Sequence, residues 1–87
     1  MNSILLALAL VVTEPDGTET KLFDTPCVVQ RILDRFPHHR LELRAGSLQY
    51  KGKVMAACWV AGKQWVFVID EEGDLSRVAI DRFRELK

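Results

Sequence analysis

The chain has 87 residues, enough for one domain with a modest core and too few for two. Hydrophobic residues make up 48% and charged residues 28%, a balance that excludes an intrinsically disordered chain. Basic and acidic residues number 12 each, so no net charge draws the whole molecule toward nucleic acid or an anionic membrane.

The apolar run from Ile4 to Val12 comes first. It lacks the basic flank of a signal peptide and is too short to cross a bilayer as a helix. Large Leu6, Leu8 and Leu10 alternate with small Ala7 and Ala9, which suits a strand covered on both faces. We read Ile4 to Thr13 as the first strand. Glu14-Pro15-Asp16-Gly17 is a turn, because proline presets φ and glycine accepts the left-handed position after it. Thr18 to Phe23 follows as a second strand, with Thr20 and Leu22 on one face, and the two strands form a hairpin.

A helix is predicted from Pro26 to about Phe36. Thr25 is a suitable N-cap and Pro26 fits the first helical position. Val29, Ile32, Leu33 and Phe36 fall on one apolar stripe, and Pro37 stops the helix. Arg40 to Arg44 then reads as a strand with Leu41 and Leu43 inward, Ala45-Gly46-Ser47 as a turn, and Leu48 to Lys51 as more strand. Gly52 marks a bulge.

The stretch from Lys53 to Ile80 reads as a three-stranded meander. A type II′ turn at Gly62-Lys63 sets Val60 opposite Trp65 and Cys58 opposite Phe67. The loop Glu71 to Asp74 sets Asp70 opposite Leu75 and Phe67 opposite Val78. One face then carries Val54, Ala56, Cys58, Val60, Trp65, Phe67, Ile69, Val78 and Ile80, which we take as the core face. Asp81 to Leu86 is read as a short terminal helix, with a longer helix from Ser76 as the competing reading. The predicted fold is α+β in one compact domain, 1–87: an antiparallel sheet made of a hairpin, one amphipathic helix and a meander, closed by a short C-terminal helix.

Chemistry is sparse in this chain. Cys27, near the expected helix N-terminus and facing outward, is a candidate reactive thiol. Cys58 falls on the core face, so a disulfide between them is not expected and a reducing, cytoplasmic setting fits. His38 and His39 lie roughly 16 Å down the helix from Cys27, too far for a catalytic dyad. No spacing in the chain is that of a metal site, and Asp70 to Asp74 lacks the ligand pattern of an EF-hand. No cofactor is implied, and no catalytic constellation is present.

Two surfaces remain. Basic residues dominate from Arg31 to Lys63, and Arg40, Arg44, Lys51 and Lys53 are the candidate nucleic-acid contacts. The second face of the meander carries Met55, Trp59, Val66, Val68 and Arg77, residue types that suit a protein interface. The same face admits a plainer reading, in which another element folds over it and Trp59 is core. The leading function is a non-enzymatic protein-binding module of adaptor or inhibitor type, whose partner is a foreign protein or a second copy. The alternatives are a nucleic-acid-binding module using the basic tract, and a thiol-dependent enzyme or redox sensor using Cys27. Nothing points to a membrane.

Overall fold

In the computed structural model, which describes residues 9–85, the chain enters on the hairpin read from the sequence. Strand β1 (Ala9–Thr13) pairs antiparallel with β2 (Glu19–Pro26), setting Val12 opposite Thr20 and Leu10 opposite Leu22. Gly17 closes the turn at φ +94°, a conformation that strains any residue with a Cβ. Asp16 Oδ1 accepts the Thr18 N–H at 2.9 Å. Residues 4–8 of the expected first strand lie outside the described residues.

The helix begins later than predicted. Pro26 ends β2, paired with Arg44, after a register shift that starts at Leu22. Thr25-Pro26 therefore closes a strand, where a proline needs no ladder N–H. No helix forms before Val29, which is itself extended, and α1 (Gln30–Arg35) follows with no side-chain cap. The stripe itself is as read. Ile32 and Leu33 are buried, and Val29 and Phe36 pack beside them. Pro37 opens a 3₁₀ turn (Pro37–His39), and residues 40–42 continue as turn where a strand from Arg40 was expected. Leu41 is consequently 93% exposed, while Leu43 turns inward.

Strand β3 (Arg44–Tyr50) runs straight through Ala45-Gly46-Ser47, which is not a turn. Gly46 is there for space. A Cβ on it would lie 2.9 Å from the Lys21 carbonyl oxygen and 3.4 Å from Cδ1 of Trp59. Lys51 and Gly52, at φ +50° and +80°, make a two-residue hairpin turn rather than a bulge and lead into β4 (Lys53–Ala61).

Strands β5 (Trp65–Asp70) and β6 (Leu75–Ala79) complete the meander, with registers that differ from the predicted ones. The Gly62 N–H bonds the Trp65 carbonyl at 2.7 Å, so the turn centres on Lys63-Gln64 and Cys58 faces Ile69. This shift moves each partner by two residues and leaves the faces unchanged. The next loop does change them. Gly73 takes φ +96°, its N–H bonds Asp70 O, and the Asp70 N–H bonds Asp74 O at 3.0 Å. The loop is thus one residue shorter than read, and Phe67 faces Arg77 instead of Val78. A one-residue slip sends every side chain of a strand to the other face. Val78 goes inside with Val66 and Val68, and Arg77 goes outside with Trp65 and Phe67.

The expected C-terminal helix is a 3₁₀ turn (Ile80–Arg82) followed by β7 (Arg84–Glu85), which pairs with β1. The strands form one antiparallel sheet in the order β6-β5-β4-β3-β2-β1-β7. The architecture is mainly β, with six residues in its one α-helix among the described residues. The inner cluster joins Leu10 of β1 and Leu22 of β2 to Val66 and Val68 of β5, with Trp59 and Phe83 beside them. In a flat sheet β1 and β5 would lie roughly 19 Å apart. The sheet therefore curls into a half-barrel that closes on its own inner face. A second cluster, of Cys27, Ile32, Leu33, Leu43, Cys58 and Ile69, packs α1 onto the outer face.

Candidate functional site

The proposed contact face of the meander is mostly interior. Val66 and Val68 are buried in the inner cluster, and Trp59 and Met55 are half-buried on the same side. The Trp59 indole N–H donates to Phe23 O at 3.0 Å and to Ala45 O at 2.8 Å. Both carbonyls lie where the β2–β3 register breaks, so one side chain serves two backbone acceptors that the break separates. The first hairpin covers this face, and Trp59 is core. Arg77 is on the opposite side, its guanidinium 4.3 Å above the Trp65 ring.

Cys27 is not an exposed thiol. It is buried and disulfide-bonded to Cys58, with a Cα–Cα distance of 5.5 Å. The outward assignment assumed helical backbone at Cys27. Cys27 precedes the helix, its N–H donating to Leu43 O at 3.0 Å, and its side chain reaches Cys58 on β4 instead. The reactive-thiol assignment falls with it. So does the argument for a reducing compartment, which rested on two unpaired cysteines.

The four basic candidates do not converge. Arg44 and Lys51 stand at opposite ends of β3, roughly 23 Å apart along the strand. Arg44 lies 3.9 Å from Asp24, and Lys53 binds Glu72 at 3.0 Å. That ion pair raises the Lys53 pKa above its ordinary 10.5. Arg40 is exposed beyond the 3₁₀ turn, on a different part of the fold. The acidic loop is a clasp: Asp70 Oδ1 accepts the N–H groups of Glu72 and Asp74, while Arg31 and Arg35 reach the carbonyls of Glu71 and Gly73. Among the described residues no group of His, Cys, Asp or Glu is placed to hold a metal ion, and no helix is long and apolar enough to cross a membrane.

What stands open is the outer face beyond the helix. With six residues, α1 spans about 9 Å and covers only part of the sheet. A groove of about 420 Å³ runs between the segment after α1 and strands β4 to β6. Phe36, Leu43, Val60, Phe67, Ile69 and Leu75 form its apolar walls. At its rim His39 Nδ1 and Glu42 Oε1 are 2.7 Å apart. Leu75 is 64% exposed and Phe67 37%. The mostly apolar lining suits the capture of apolar side chains.

Phe67 was assigned to the core and Leu75 to no site. The available signal was Gly73. A three-residue hairpin loop ends on a glycine in the left-handed region, and that loop gives the observed β6 register.

Fold and site together define a small half-barrel of mainly antiparallel strands with a disulfide-tied outer helix and an open apolar groove. No family model matches the chain, and no curated protein or solved structure resembles it significantly.

Proposed function

We propose that the protein is a non-enzymatic protein-binding module, of adaptor or inhibitor type, that docks its partner on the outer face of β5 and β6. The observation that carries this reading is the groove walled by Phe67 and Leu75, both of which leave apolar surface in water. Exposed apolar surface gathered around a concavity, with an aromatic ring and an arginine at its margin, is the composition of an interface centre. Leu75→Glu and Leu41→Glu test it in parallel. Each places a carboxylate at an exposed position, but only Leu75 lines the groove. In pull-downs from native lysate, the proteins retained by the wild type should be lost with Leu75→Glu and kept with Leu41→Glu. Retention that is identical for both variants, or that nuclease treatment abolishes, refutes the reading.

A further inference from the structure

Strand β6 is the last strand of the sheet, and β5 is its neighbour on one side. Two hydrogen bonds fix the phase of that ladder: Asp70 N–H to Asp74 O, and Ile80 N–H to Gln64 O, both 3.0 Å. Bonded pairs recur every second residue in an antiparallel ladder. Ser76 and Val78, opposite Val68 and Val66, therefore turn their backbone groups toward β5. Leu75, Arg77 and Ala79 turn theirs away from the sheet, and no described strand meets them. An open edge of this kind is a template for another strand.

The same three residues direct their side chains to the outer face. Leu75 lines the groove, and Arg77 lies over Trp65. Arg77 makes no ion pair among the described residues. A strand bonded to Leu75, Arg77 and Ala79 would set its own side chains beside theirs on that face. In the antiparallel sense, the residue opposite Leu75 follows two positions after the residue opposite Arg77.

We infer that β6 takes up an extended segment of another protein as an antiparallel strand, with an acidic residue opposite Arg77 and an apolar residue two positions later beside Leu75 at the groove. This rests on the protein-binding reading and names the partner it fits. A second copy of the chain fits worse. Antiparallel self-pairing through the outward groups of both copies sets Arg77 opposite Leu75, Arg77 or Ala79 of the copy, never opposite a carboxylate. The symmetric pairing puts the two Arg77 side chains together, a repulsive cross-strand pair.

The probe is a synthetic nine-residue peptide of alternating threonine and valine, with glutamate at its centre and leucine two positions toward its C-terminus. Two controls replace the glutamate by lysine or move the leucine to the N-terminal side. Hydrogen exchange on the full chain should show the glutamate peptide protecting the amides of Leu75, Arg77 and Ala79 and leaving those of Ser76 and Val78 unchanged. The lysine control, which exchanges an attractive pair for a repulsive one, should bind roughly two- to tenfold more weakly, and the moved-leucine control roughly 1.5- to fivefold more weakly. Arg77→Glu should invert the preference between the glutamate and lysine peptides. The inference is overturned by absence of binding at about 1 mM peptide, by binding without protection of those three amides, or by equal affinity for all peptides. It is overturned equally if the protein protects the same amides by dimerising alone. Should the peptides fail while Leu75→Glu still loses the partner, strand addition is wrong and groove docking stands. Should both fail, both are wrong.

Discussion

Replacing Trp59 separates the two jobs this side chain does. Trp59→Phe keeps an aromatic ring in the inner cluster and deletes the N–H that reaches Phe23 O and Ala45 O. Leaving a partly buried acceptor without its donor costs about 1–3 kcal/mol, and since one N–H is shared, that range covers the pair. A domain of this size loses roughly 4–8 °C in Tm per kcal/mol, so the melting point should fall by about 5–20 °C. Trp59→Ala also empties the space between Leu22, Val66 and Val68, which raises the cost to about 3–5 kcal/mol. Thermal unfolding followed by circular dichroism measures both variants, and sedimentation measures association in parallel. Trp59→Ala with an unchanged Tm would refute the core assignment. Trp59→Phe as stable as the wild type would show that the bridge to the two carbonyls contributes nothing.

Reduction of Cys27–Cys58, or the double substitution to Ala, opens a loop with a sequence separation of 31. Chain-entropy arithmetic gives a loss of about 3–4 kcal/mol, and a Tm drop below about 5 °C on reduction would contradict it. The Asp16 carboxyl accepts the Thr18 N–H, which holds its pKa below the ordinary 3.8. Its stabilisation of the turn is present above the unfolded pKa and is lost as pH falls through the lower folded value. An NMR titration of Asp16 with a midpoint at or above 3.8 would refute that account.

Local signals in the sequence were legible where one residue type has one structural use. Gly17 follows Pro15-Asp16 and can only end a turn. Val29, Ile32, Leu33 and Phe36 have a helical period and pack as one stripe. Signals with two uses were misread. Thr25-Pro26 can cap a helix or close a strand, and the pairing of Pro26 with Arg44, eighteen residues on, decides which. Gly46 looks like a turn residue, yet it lies inside β3 and makes room for the Lys21 carbonyl and the Trp59 ring. The candidate site suffered most, because a single residue in the Gly73 loop decides which face of β6 meets water. That one position exchanged Val78 for Arg77 on the inner face, while the first hairpin, folding over Val66, Val68 and Trp59, turned the rest of the expected interface inward. The disulfide was hidden for a related reason. Its formation depends on where Cys27 points, and that follows from the helix start.

The Cys27–Cys58 link also changes how the molecule would respond to force. It joins the segment before α1 directly to β4, so a pull on the two chain ends passes through the sulfurs. The intervening 31 steps of chain, which hold α1 and β3, carry no tension. Stretched out, they would measure roughly 100–110 Å. In a single-molecule extension experiment the oxidised protein should come up short by about that length, and a reductant should release it. β3 lies in the middle of the sheet between β2 and β4, so the centre of the half-barrel would be shielded from load while both of its margins peel.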